Sequence, residues 1–95
     1  MISKERAQEL IEPIKGAGVA CLQYLGVETV PYRHIKNPPY RTFPPELINQ
    51  DVHVFEGLSS TDERVSVALC QYYVTTDGHV YKDTYPSDGN CVKIH

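Results

Sequence analysis

The chain of 95 residues has little that would serve a cross-linked, metal-rich or membrane-embedded protein. It contains no tryptophan, one methionine and three cysteines. Three cysteines cannot all pair within one chain, so we expect buried, reduced thiols rather than a disulfide framework. No apolar run approaches the ~20 residues that a membrane-spanning helix needs. The charged N-terminus lacks the apolar region of a signal peptide, which predicts a cytoplasmic protein.

Acidic residues are missing from one stretch, although the chain as a whole is acidic, with a formal charge of −3. Residues 30–45, VPYRHIKNPPYRTFPP, contain Arg33, Lys36 and Arg41 and no acid. The remainder contains six basic and twelve acidic residues. The net negative charge gives no general attraction to nucleic acid. The uneven distribution instead predicts a local basic surface on an otherwise acidic protein.

A helix is predicted over residues 1–26. Ser3 is a suitable N-cap, and apolar residues follow it at helical spacing. Pro13 removes a backbone donor and should kink the helix, and two later glycines each cost about 1 kcal/mol relative to alanine. A strand at residues 18–25 is the alternative.

Proline dominates residues 27–50, which contain five of the seven prolines of the chain. Proline favours extended, edge-strand or connecting geometry. A short helical turn is predicted where two prolines precede Glu46-Leu47-Ile48. Alternating apolar residues then predict antiparallel strands over residues 51–95, with a hairpin turn at Asp77-Gly78.

The predicted fold is therefore a single α+β domain over residues 1–95, with the kinked N-terminal helix packed on a three- to four-stranded antiparallel sheet. Tyr72 and Tyr73 are neighbours on one strand, so one should enter the core and the other should pair with Tyr81 on the open face. The residues expected in the core are Leu10, Ile11, Ile14, Leu22, Val65, Val67 and Leu69.

The histidine and cysteine residues lack the ligand spacing of a known zinc site. Cys70 and His79 flank the hairpin turn and could approach one another. In the terminal CVKIH, Cys91 and His95 would lie about 13 Å apart along a strand, which is too far for one tetrahedral zinc ion. A nucleophilic triad of Cys70, His79 and Asp77 or Asp83 has no nucleophile elbow or glycine-rich loop to support it. We therefore predict no catalytic residue, no metal and no cofactor.

Two Pro-Tyr-Arg repeats lie within the basic stretch. Tyrosine and arginine are frequent interface anchors, and proline rigidity lowers the entropy lost on docking. The alternative is that the tyrosines pack on the domain while the arginines pair with its acidic remainder. Binding of single-stranded nucleic acid is the weaker interpretation, because three cations lie on a net-negative protein. The predicted partner-binding residues are Tyr32, Arg33, His34, Lys36, Tyr40, Arg41 and Phe43.

The run YYVTTDGHVYKD, after the N-terminal SKERAQELIEPIK, resembles small bacterial α+β proteins that neutralise secreted toxins, the immunity proteins. The resemblance covers about a third of the chain and rests on a leading helix and a hairpin with a D-G turn. It implies a non-catalytic protein that binds another protein tightly. No site residue is carried over from it.

Together these features predict a protein-binding inhibitor, of the immunity type or encoded by a phage against host defence, with a basic target. The first alternative is a small-ligand-binding protein or enzyme with a pocket between helix and sheet. The second is a homo-oligomeric structural protein, such as a homodimer, that uses an open sheet edge.

Overall fold

The computed structural model describes residues 1–30, 43–84 and 91–95. Five strands form one antiparallel sheet in the order β1-β2-β3-β4-β5, so each strand pairs with its neighbour in the chain. The elements are α1 (Lys4–Ile11), β1 (Cys21–Thr29), a 3-10 turn (Pro45–Leu47), β2 (Asp51–Leu58), β3 (Ala68–Thr75), β4 (Val80–Thr84) and β5 (Cys91–Lys93). The predicted α+β architecture is confirmed, but the sheet has five strands rather than three to four.

The helix α1 is shorter than predicted. The Ser3 side chain accepts a hydrogen bond from the backbone N–H of Arg6 at 3.1 Å, which caps its first turn. The helix ends at Ile11, two residues before Pro13, and a turn follows. The helix predicted to residue 26 is therefore wrong. The alternative strand at residues 18–25 is the better prediction, because β1 begins at Cys21.

Both faces of the sheet are covered, which explains why residues 52–55 of β2 are all buried. The helix packs on one face and the 3-10 turn on the other. The helix-side core contains Ala7, Ile11, Val19, Phe55, Cys70, Tyr72, Val74 and Val80. The opposite core contains Val30, Leu47, Val52, Val54, Tyr73, Tyr81 and Cys91.

The predicted core is correct at Ile11 and partly correct at three leucines. Ile11 is fully buried, and the half-buried side chains that pack against the helix-side core include Leu10, Leu22 and Leu69. The prediction is wrong for Ile14, Val65 and Val67, which are 36%, 66% and 59% exposed. Ile14 follows the end of α1 and so leaves the helix stripe. The two valines precede β3, which begins only at Ala68.

The two neighbouring tyrosines of β3 are buried on opposite faces of the sheet. Tyr72 lies in the helix-side core, as expected of one of them. Tyr73 pairs with Tyr81 across the hairpin, as predicted, but the pair is buried in the opposite core rather than on an open face. The reason is that Phe43 and Leu47, from before β2, also pack into this cluster. The sequence carries no local signal for such a long-range contact.

The predicted hairpin and short helical turn are both present. The β3–β4 hairpin turns at Gly78, whose φ of 91° suits glycine. The 3-10 turn begins with Pro45 at its first position, where a missing N–H costs nothing. In the part of the chain that the structure describes, the only α-helix is the eight-residue α1, and no helix is long and apolar enough to cross a membrane.

Candidate functional site

The predicted partner-binding stretch is described only at its ends. Val30 is buried, and its backbone bonds to Gln50 and Asn49, each at 2.9 Å. Phe43 is half-buried and packs edge-on against Tyr73, with 5.7 Å between the ring centroids. Both ends therefore lie on the face of the sheet away from α1. The other predicted residues, Tyr32, Arg33, His34, Lys36, Tyr40 and Arg41, lie outside the described residues.

An open cleft of about 340 Å³ lies where the β3–β4 hairpin meets the 3-10 turn and β5. We call it the hairpin cleft. It brings Glu46 and Lys93, which no sequence pattern connected, close to Asp77 and His79 of the hairpin. Its lining residues are Glu46, Gln50, Thr75, Thr76, Asp77, His79, Tyr81 and Lys93.

One side of the hairpin cleft is a hydrogen-bonded turn. The Thr75 hydroxyl donates to the Asp77 carboxylate and accepts from the backbone N–H of His79 at 3.0 Å. The His79 Nε2 atom lies 3.4 Å from Asp77 Oδ2. The Thr75 hydrogen bond, with smaller contributions from the backbone N–H of Asp77 and the positive charge of Lys93, lowers the pKa of Asp77. Asp77 therefore stays ionised and held in place.

The other side of the hairpin cleft joins residues 35 positions apart. The Tyr81 hydroxyl donates to Glu46 Oε1 at 3.3 Å. Burial raises the pKa of Tyr81, and the nearby Glu46 carboxylate raises it further. Tyr81 therefore acts as a neutral donor that fixes the Glu46 carboxylate at the rim. No sequence signal links the two positions, because their contact depends on the 3-10 turn packing over the sheet.

The cysteine predicted to approach His79 lies elsewhere. The β3–β4 ladder places Cys70 opposite Thr84, and Thr84 is five residues, or about 16 Å of strand, beyond His79. Cys70 is also buried in the helix-side core, whereas Asp83 is buried on the other face of the sheet. The hypothetical triad is therefore not assembled; only the Asp77–His79 pair forms. Across residues 1–30, 43–84 and 91–95, no group of three or more His, Cys, Asp or Glu residues could hold a metal ion.

A second concavity of about 620 Å³ lies at the opposite end of the strands, where β1 begins and β2 ends. It is broad and open. The Cys21 thiol donates to the Ser60 carbonyl at 3.6 Å, and the buried Ser66 hydroxyl has no hydrogen-bond partner among the described residues. Its lining residues are Cys21, Leu22, Gln23, Tyr24, Leu58, Ser60, Thr61, Glu63 and Ser66. Neither this groove nor the hairpin cleft includes a residue of α1.

The described surface is acidic. The described residues include eleven of the twelve acidic residues, all except Asp88. They include six of the nine basic residues, because Arg33, Lys36 and Arg41 lie in the basic stretch outside the described residues. Ten of the eleven carboxylates are exposed or half-buried, and Asp83 is the buried one. Three of the six cations pair with sequence neighbours: Arg6 with Glu9, Lys15 with Glu12 and Arg64 with Asp62. With Asp83 left out, the described surface therefore has ten carboxylates against six cations, an excess of four negative charges.

The two edges of the sheet differ. The edge strand β5 has three residues and ends in Lys93. The edge strand β1 has nine residues and contains neither lysine nor arginine. Two of its apolar side chains, Leu25 and Val27, are 42% and 50% exposed. Short length and lysine are the usual protections of an edge strand, and β1 has neither.

Comparison with known proteins gave no relative. No family model matches the chain, and neither the curated proteins nor the solved structures contain a match to it.

Proposed function

We propose that this protein is a small, non-catalytic binding protein that sequesters a basic partner protein, in the manner of an inhibitor or immunity protein. The observation that carries the proposal is the acidic surface, with ten carboxylates that are not buried. An acidic surface steers a basic partner into contact and raises the association rate. Nucleases and other nucleic-acid-binding proteins are the class of target whose charge complements it.

The hairpin cleft is consistent with recognition rather than reaction. The Thr75 hydroxyl is already engaged on both sides, by Asp77 and by the backbone of His79. That hydroxyl therefore holds the turn together instead of standing free as a nucleophile. Glu46 and Asp77 present fixed carboxylate oxygens, which suit hydrogen-bond donors of a bound partner.

The proposal is tested by affinity capture from the source cells, followed by measurements on the purified pair. We expect a 1:1 complex with a basic protein, an association rate constant that falls steeply with added salt, and loss of the partner's activity at equimolar inhibitor. A partner that is acidic, or an association rate that does not respond to salt, would contradict the proposal.

A matched pair of variants sharpens this test. Glu28→Gln with Glu56→Gln removes two carboxylates that form no ion pair with any described residue. Glu9→Gln with Glu12→Gln also removes two, but these are engaged by Arg6 and Lys15. Both double variants change the net charge equally. We expect the first to weaken the complex more, because its carboxylates remain available to a partner.

A further inference from the structure

The outer edge of β1 pairs with no strand in the described part of the chain. We infer that this edge takes an extended, basic segment of the partner protein as a sixth strand. The inference rests on the proposed function, because it names the segment by which such a partner would be held. Strand addition gains affinity from main-chain hydrogen bonds and specificity from alternate side chains.

The inner edge of β1 shows which part is straight enough to receive a strand. Residues Cys21–Tyr24 and Gly26–Thr29 each pair regularly with β2, and the register shifts between them. The shift is a bulge at Leu25 and Gly26, where glycine has a φ of 110°. A bulge bends an edge and limits long pairing. Four regular residues remain on each side of it, which is enough for a short added strand.

The alternation of β1 dictates the chemistry of the incoming segment. Val27 lies beside His53 on the helix side of the sheet, whereas Glu28 lies beside Val52 on the opposite side. Glu56, on the neighbouring strand, shares the side of Glu28. An added strand therefore meets an apolar side chain on one face and carboxylates on the other. Lysine or arginine alternating with apolar residues matches this pattern.

The side chain of Lys4 fixes which face can accept a cation. Its Nζ atom lies 5.4 Å from the ring centroid of Tyr24, which is on the helix side of β1. A second cation on that side would be repelled, so the basic residues of the partner belong on the side of Glu28.

A second copy of this chain is the less suitable occupant. Antiparallel pairing of two β1 strands about a two-fold axis normal to the sheet would place both copies of Glu28 and Glu56 on one face. No basic residue of β1 would face them. Each copy also brings the excess of four negative charges on its described surface. Charge therefore favours a basic segment of another protein.

The test uses two synthetic eight-residue peptides as probes, one of alternating lysine and valine and one of alternating glutamate and valine. Each is titrated into the ¹⁵N-labelled protein and followed by NMR. We expect the lysine peptide to shift the backbone signals of residues 21–29 and to show intermolecular contacts with them. The glutamate peptide should leave these signals unchanged.

Two double variants separate edge pairing from simple charge attraction. Leu25→Lys with Val27→Lys adds two cations on the β1 edge. Val65→Lys with Val67→Lys adds two cations outside the sheet, at valines that are more exposed than the two edge residues. We expect the edge variant to weaken binding of the lysine peptide by at least about tenfold, and the control variant by no more than about twofold. Both variants should keep the wild-type NMR dispersion, because all four side chains are exposed.

Several results would overturn the inference. These are equal weakening by both variants, equal binding of the two peptides, no binding of the lysine peptide at millimolar concentration, or concentration-dependent pairing of the protein through its own β1. Shifts confined to the hairpin cleft would also overturn strand addition while leaving the proposed function intact. Failure of the proposed function would instead appear as the absence of a basic partner in the capture experiment.

Discussion

The hydroxyl of Tyr24 lies 2.8 Å from Nδ1 of His53, and the Nε2 atom of the same imidazole lies 2.6 Å from the carbonyl oxygen of Ile2. A carbonyl only accepts hydrogen bonds, so Nε2 carries a proton, and in the tautomer with a single proton Nδ1 accepts from Tyr24. The buried imidazole thus connects β1 and β2 to the residue before the N-cap of α1. The sequence carries no signal for this connection, because His53 occupies one position in an apolar alternation.

We predict that Tyr24→Phe destabilises the protein by about 1–2 kcal/mol, since it leaves the buried Nδ1 atom without a donor. The measurement is chemical denaturation monitored by circular dichroism. Tyr72→Phe is the matched control, because no described group is placed to hydrogen-bond the buried Tyr72 hydroxyl. Burial, with a smaller contribution from the neighbouring Cys70 thiol, raises the pKa of Tyr72 to about 12. The Tyr72→Phe substitution should be neutral or slightly stabilising. Equal effects of the two substitutions would contradict the assignment.

A second prediction concerns the close packing over Gly57. A Cβ atom added there would lie 2.7 Å from Cys70 Sγ and 3.3 Å from both Tyr72 and Val19. Gly57→Ala should therefore cost about 1–3 kcal/mol in a denaturant titration. Adding Cys70→Ala should recover part of the loss. Gly18→Ala is the control, because its nearest neighbour, a Leu69 methyl group, lies at 3.9 Å; a comparable loss there would argue against a steric cause.

A third prediction concerns pH. The pKa of Asp77 is lowered in the folded state from an ordinary value of 3.8, mainly by the Thr75 hydroxyl. A lowered carboxyl pKa stabilises the fold above the unfolded-state value, and this stabilisation is lost as the pH falls through the folded-state value. Thr75→Val should raise the pKa of Asp77, as measured by NMR titration of the carboxyl group. The variant should be less stable than the wild type above about pH 4, and this difference in the free energy of unfolding should shrink as the pH falls below about 4.

Thr75→Ser is the matched control for this prediction, because it keeps a hydroxyl at the same position. It should leave the pKa of Asp77 close to the wild-type value. An unchanged pKa in Thr75→Val would show that the backbone N–H of Asp77 and the neighbouring side chains, rather than the hydroxyl, lower the pKa of this carboxyl group.

A fourth prediction uses two isoleucines three residues apart. Ile11 is fully buried, so Ile11→Ala should cost about 2–5 kcal/mol of unfolding free energy. Ile14 lies beyond the helix and is 36% exposed. Ile14→Ala should cost less than about 1 kcal/mol. A larger loss at Ile14 than at Ile11 would mean that the helix continues past Ile11.

A fifth prediction returns to the basic stretch, which stays a sequence-based prediction. If Arg33 and Arg41 contact the partner, replacing both with alanine should weaken the complex by about 2 kcal/mol or more per true anchor. Stability should change little, because exposed ion pairs contribute only ~0–1 kcal/mol each. A lower melting temperature with unchanged partner affinity would instead favour internal pairing of these arginines.

Local chemistry made part of this fold predictable. The N-cap at Ser3, the prolines before the 3-10 turn and the Asp77-Gly78 hairpin each depend on residues within a few positions of one another. The β1 strand was not predicted as the main choice, because the apolar spacing after Pro13 fits a helix and a strand equally well. The end of α1 settles this ambiguity, since the following turn redirects the chain into the sheet.

The second core and the hairpin cleft were beyond local patterns. Leu47 and Tyr81 meet only because the 3-10 turn packs across the sheet, over a separation of more than thirty residues. The exposed valines Val65 and Val67 alternate with Leu69 in the manner of a strand, yet β3 begins after them. The cause is a register shift at the end of β2, where Leu58 pairs with Ala68 and the intervening residues form a loop.

The sequential strand order has a kinetic consequence. Strands β2 to β5 are joined by connections of nine, four and six residues, so closing each of these loops costs little chain entropy. Residues 30–50 separate β1 from β2, and closing this longer connection costs additional chain entropy. We therefore expect the pairing of β1 with β2 to be the slowest strand pairing when the protein refolds from denaturant. For a protein that is proposed to offer β1 to a partner, the recognition strand would then be the one whose pairing completes the sheet last on refolding.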